Sequence, residues 1–64
     1  MQDIPISIDL EGTSYAGTYH VAADNLTVTF GELRKSTPLK GMSEAILARQ
    51  LLRELVREQR ETGG

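Results

Sequence analysis

Cysteine and tryptophan are absent from this 64-residue chain, which has a single histidine and a single phenylalanine. Without cysteine there can be no disulfides and no thiolate metal sites. Its absence also accords with a reducing compartment. No run of apolar residues approaches the ~20 needed to cross a bilayer as a helix. Met1 leads straight into strand-like sequence, with no basic segment followed by an apolar one, so no secretory leader is expected. We therefore expect a soluble, cytoplasmic protein with no membrane partner. A chain this short buries only about 60% of the surface it exposes when unfolded. Small domains without disulfides or metals commonly lean on a partner chain, so self-association is the first expectation.

Basic residues are missing from the first half. Residues 1–33 hold no lysine or arginine and five acids (Asp3, Asp9, Glu11, Asp24 and Glu32), a charge of −5. Residues 34–64 hold all seven basic residues and four acids (Glu44, Glu54, Glu58 and Glu61), which is 7 − 4 = +3 and leaves −2 overall. Two readings stay open. The sheet and the helix, or two subunits, attract each other; or a basic helix surface meets an acidic partner. The pI of about 5.2 argues against a dedicated nucleic-acid binder.

What is present is periodicity. A two-residue turn at Gly12-Thr13 would set Leu10 opposite Tyr15, Ile8 opposite Gly17, Ile6 opposite Tyr19 and Ile4 opposite Val21. A second turn at Asp24-Asn25 would set Ala23 opposite Leu26, Val21 opposite Val28 and Tyr19 opposite Phe30. Both turns place one apolar set on one face, because side chains alternate with period two. Strands are expected from about Ile4 to Glu11, Ser14 to Ala23 and Leu26 to Gly31. Pro5 and the charges around it belong on an edge strand. Leu26 to Phe30 has neither charge nor proline, so it needs a cover. Leu33 to Thr37, returning after a turn at Gly31-Glu32, is the nearest candidate. That fourth strand would lean Lys35 towards the apolar face; without it, strand three is an edge free to pair with another chain.

Pro38 and Gly41 break the chain before a helix. Ser43 suits its N-cap and Glu44 its first turn. Residues to about Glu61 are strong helix formers, and Gly63-Gly64 stop the helix. At about 100° per residue, Leu47, Ala48, Leu51, Leu52, Leu55 and Val56 fill an arc of about 180°. Arg49, Arg53, Arg57 and Arg60 line one flank of the arc, and Glu54, Glu58 and Glu61 the other. Like charges at i,i+4 destabilise an isolated helix. Each flank is therefore expected to face opposite charge, on the sheet or on a second helix. The expected fold is α+β: a single domain with an antiparallel β-meander of three strands, or four, over 4–37. One C-terminal helix over 43–61 packs on one face, and 62–64 form a flexible tail.

Catalytic and ligand-binding patterns are absent. His20, expected on the outer face beside Pro5 and Thr29, has no second imidazole for a metal and no orienting partner for acid–base work. No serine sits with a histidine–carboxylate pair, and no glycine-rich phosphate loop precedes a helix. Tyr15 and Tyr19 fall on the inward face and read as core with hydroxyls at the rim. The outer sheet face carries acids and no arginine or lysine over the first three strands, so it would repel phosphates. Gly63-Gly64 resembles the tail of ubiquitin-like sulfur carriers only in those two glycines. We expect no enzyme activity, no catalytic residue, no cofactor and no metal.

The strings Tyr15-Ala16-Gly17-Thr18-Tyr19, Leu26-Thr27-Val28-Thr29-Phe30-Gly31 and Leu47-Ala48-Arg49-Gln50-Leu51-Leu52-Arg53-Glu54-Leu55 resemble a group of very short, uncharacterised bacterial proteins. The resemblance spans about residues 14–56 and implies a self-contained small domain, with no function to carry over.

The expectation is thus a small, non-catalytic protein-interaction module that forms a homodimer through the helix face or the strand-three edge. Its partner-binding residues would be Arg49, Leu52, Arg53, Val56, Arg57 and Arg60. The alternative is a nucleic-acid-associated protein that uses the arginine ridge.

Overall fold

The computed structural model describes residues 3–62. The helix stop expected at Gly63-Gly64 lies outside these residues, and Thr62, expected to begin the tail, is still helical. Four strands, β1 (Ile4–Leu10), β2 (Thr13–Ala22), β3 (Asn25–Phe30) and β4 (Leu33–Pro38), precede one helix, α1 (Glu44–Thr62). The sheet order is β1-β2-β3-β4 with every neighbour antiparallel. The fold is α+β, and the fourth strand exists. Consequently β3 is interior, and the strand-three edge once considered for pairing with another chain is closed by β4.

Both earlier hairpins pair differently from the expected register. Ile4 lies opposite Tyr19, Ile6 opposite Gly17 and Ile8 opposite Tyr15. In the second hairpin Tyr19 faces Val28 and Val21 faces Leu26. The central turn residues are Glu11-Gly12 and Ala23-Asp24, all four with positive φ (53°, 83°, 52° and 63°), as a type I′ turn requires. Moving a two-residue turn by one position shifts pairing by two. Every side chain therefore keeps its face, and the apolar set survives intact. The first turn keeps its glycine at a positive φ but uses it as the second central residue. The second is tied down from outside its own hairpin, because the Leu39 N–H donates to the Asp24 carbonyl at 2.9 Å.

The register also explains the prolines. Leu10–Thr13 closes a two-residue hairpin, so Leu10, Ile8, Ile6 and Ile4 bond to β2. Asp9, Ser7 and Pro5 then point their backbone polar groups away from the sheet. The N–H that Pro5 lacks is one the ladder never uses. Alternation from Phe30–Leu33 gives Pro38 the same role on β4. A proline therefore guards each open edge.

A tight turn follows β4. Lys40 (φ 53°) and Gly41 (φ 79°) reverse the chain, and the Met42 N–H donates to the Leu39 carbonyl at 3.0 Å. The Leu47 N–H then bonds to the Ser43 carbonyl at 3.0 Å, the first helical bond expected of an N-cap. All six residues of the apolar helix arc are buried, joining Ile8, Tyr19, Leu26 and Val28 in one core. Tyr15 meets Phe30 edge-to-face with centroids 6.1 Å apart at 76°. Gly17 lies beneath Leu52 of the helix. A Cβ there would lie 2.7 Å from the Thr29 carbonyl oxygen and 3.0 Å from Leu52 Cδ1.

Candidate interaction surface

α1 divides the apolar face of the sheet into two margins. On the β4 side, Lys35 lies opposite Val28 and leans over the core, as the strand alternation requires. Its ammonium donates to Glu58 Oε2 at 2.6 Å and to Glu54 Oε1 at 3.1 Å. The bonds to Glu58 and then Glu54 raise the Lys35 pKa above its ordinary 10.5, against a smaller opposing effect of desolvation. One lysine bridges two carboxylates that would otherwise repel each other at i,i+4. This margin is closed within the chain.

On the β1 side the charges are left over. Arg60 reaches Glu11 of the first turn at 3.0 Å. Among the described residues no ion pair engages Arg49, Arg53 or Arg57. All four arginines are exposed. The expected sheet partner for this flank is thus realised at one arginine of four. Arg49 overhangs a shallow depression with Pro5, Ile6, Ser7 and Ala16 at the open edge of β1. Arg57 and Arg60 border a second with Leu10, Glu11 and Glu61. Because Arg49 lies beside residues 5–7 and Arg60 beside Glu11, the helix runs alongside β1 in the same direction. Ile46, 55% exposed, shares the arc of these arginines by helical spacing.

Leu52 and Val56 do not belong to this surface. Both are 0% exposed, because the sheet is wide enough to take up the whole apolar arc. The helix therefore keeps no spare apolar width for a second chain. The residues brought together are Arg49, Arg53, Arg57 and Arg60, joined by the unpaired edge of β1. Pro5 marks that edge in the sequence, but nothing in the sequence sets it beside the arginines.

The outer face also differs from expectation. With the register shifted by two, His20 lies opposite Thr27 and not beside Thr29. Its Nδ1 is 3.3 Å from Asp3 Oδ1, a carboxylate partner not foreseen. Thr27 Oγ1 and Ser36 Oγ continue this row at 2.9 Å, and Ser14 donates to Asp9 Oδ1 at 2.7 Å. These contacts lie on the exposed outer face of the sheet. Among the described residues no group of three or more His, Asp or Glu side chains could hold a metal. No described helix is long and apolar enough to cross a membrane.

Compared with protein-family models, curated proteins and solved structures, the chain finds no match.

Proposed function

We propose that this chain is a small, non-catalytic protein-interaction module, acting in the cytoplasm, and that the arginine flank of α1 receives an acidic partner. One observation carries this reading. Arg49, Arg53 and Arg57 form an exposed row with no ion pair among the described residues, while on the opposite flank Glu54 and Glu58 share Lys35. Like charges held at i,i+4 cost helix stability, so a row that the fold leaves unanswered suits an external counter-charge.

The same geometry weighs against a homodimer through this surface. A two-fold interface centred on this row sets arginine beside arginine at its axis. It also weighs against nucleic acid. The chain is acidic overall, with a pI of about 5.2, and Asp3, Asp9 and Glu11 interrupt the margin, so no continuous basic stripe tracks a phosphate backbone.

Retention on immobilised polyglutamate and on duplex DNA, across a salt series, tests the reading. Polyglutamate should retain the protein at low salt. Arg53→Glu should abolish retention, and Lys35→Gln should leave it unchanged. Stronger retention on DNA, or retention indifferent to Arg53→Glu, would overturn it. Light scattering over a dilution series supplies the remaining arm: a dimer that survives dilution would favour self-association instead.

A further inference from the structure

Resting on that reading, we propose that the acidic partner binds as an added β-strand along the open edge of β1, with glutamates at every second position beneath the arginine row. Three independent features converge on this mode. First, Ser7 and Asp9 point both backbone N–H and C=O away from β2, and Pro5 points its C=O, so the edge can accept a further strand at all but one donor position.

Second, the spacings match. Arg49, Arg53 and Arg57 recur every four helical residues, about 6 Å along the axis. Side chains on one face of a strand recur every two residues, about 6.6 Å. Over the full row the helix advances about 12 Å and a strand about 13 Å. The helix runs alongside β1, so the two series stay in step.

Third, the faces of the edge have opposite preferences. An inward side chain on the added strand would lie against Ile6, Ile8 or Leu10 with arginine above it. The methylenes of glutamate suit the first and its carboxylate the second. An outward side chain would meet Asp3, Ser7 or Asp9, where another acid is repelled. Only an alternating chain satisfies both. A phosphodiester backbone carries charge at every unit, and a second copy of β1 would present isoleucines and its own arginine row.

The probe is a capped nine-residue peptide alternating threonine and glutamate, titrated into the isotopically labelled chain. Its isomer with the four glutamates contiguous and a nine-nucleotide oligothymidylate serve as comparisons. The alternating peptide should bind at least about tenfold more tightly than its isomer, a difference of about 1.4 kcal/mol. Hydrogen exchange at the Ser7 and Asp9 amides should slow on binding, while the β4-edge amides of Arg34 and Ser36 stay unchanged. Ser7→Pro should abolish this preference, because it removes an outward N–H at a position that makes no bond to β2. Should that variant not fold, the amide protection in the unaltered chain still decides the matter.

If both peptides bind equally and both are lost on Arg53→Glu, strand addition falls while the arginine row stands as an acidic-partner surface. If neither peptide binds, both ideas fall. Tighter binding of oligothymidylate overturns the proposal in favour of nucleic acid. Ser7 protection that grows with protein concentration alone overturns it in favour of a second copy.

Discussion

The two margins of the helix are built from similar parts and end differently. Along β4, one lysine bridges two glutamates, so both carboxylates have a cationic partner within the chain. Along β1, four arginines overhang a strand edge and Glu11 answers only Arg60. The strand alternation that turns Lys35 inward on β4 turns only isoleucine and leucine inward on β1. Charge segregation on a helix is therefore no single signal. One flank is explained by the fold, and the other is left for something outside it.

The largest effect should come from the arc between the margins. Leu52 is fully buried and packs against Gly17. Leu52→Ala should cost about 2–5 kcal/mol. For a domain of this size, with about 3–10 kcal/mol in total, that is most of its stability. Thermal or denaturant unfolding monitored by circular dichroism would show it, and both margins should melt together. Survival of one margin would mean that they are separate units. Gly17→Ala crowds Leu52 from the sheet side and, more severely, the backbone of the adjoining strand. Its Cβ would meet a backbone oxygen at 2.7 Å, which cannot swing away as a side chain tip can. A loss of about 1–3 kcal/mol is expected in the same assay, and an unchanged midpoint would show that β2 and β3 stand further apart at this position.

A gain should come from the second turn. Ala23 holds a left-handed φ of 52°, which costs an ordinary L-residue roughly 1–2 kcal/mol. Ala23→Asn, a residue that tolerates this conformation, should raise stability by about 1 kcal/mol. The turn belongs to neither margin, so the variant supplies a stabilised background for the next comparison. Unchanged or lower stability would place the turn residues elsewhere.

The margins themselves should separate by what they affect. Lys35→Gln leaves Glu54 and Glu58 facing each other and should lower the unfolding midpoint, with no effect on polyglutamate retention. Arg53→Gln removes a like-charge neighbour of Arg49 and Arg57, so the midpoint should hold or rise slightly while retention weakens. Should Arg53→Gln destabilise the chain as Lys35→Gln does, the arginine row is a structural element, and the contrast between margins disappears.

The strand faces and the helix arc were legible because each rests on periodicity, which a single chain displays in full; the fourth strand followed only as one of two outcomes, from the need to cover the uncharged third strand. Pairing register was not. Two-residue turns at adjacent positions place the same residues inward, so the apolar pattern could not choose between Gly12-Thr13 and Glu11-Gly12. At the second turn the choice is tied to the Leu39 contact with Asp24, made after two further strands. The neighbours of His20 followed the register and were misplaced with it. Leu52 and Val56 were assigned to a second interface because helix arc and sheet width were judged separately. Once β4 widens the sheet, the arc has no surplus. Lys35 leaning inward was readable from alternation, but its two glutamates were not, since nothing in the chain fixes how the helix lies across the strands.

The smallest effect is the one with the clearest sign. Lys35 has a raised pKa in the folded chain, first through its bond to Glu58 and then to Glu54. A group whose pKa is higher when folded contributes stability fully below its unfolded value, here near 10.5. That contribution is lost as pH rises through the higher folded value. Acidic and neutral solutions are therefore uninformative, and the window lies on the alkaline side. Arginine keeps its charge throughout this range, so Lys35→Arg provides the reference. Its stability relative to the unaltered chain should be constant between about pH 7 and 9, then grow in favour of arginine as lysine deprotonates. Every other titrating group is common to both chains, so the difference isolates this one site. A difference that stays flat to high pH would mean that the glutamates do not hold the lysine in solution. The β4 margin would then be as open as the β1 margin, and the contrast on which the arginine surface rests would be gone.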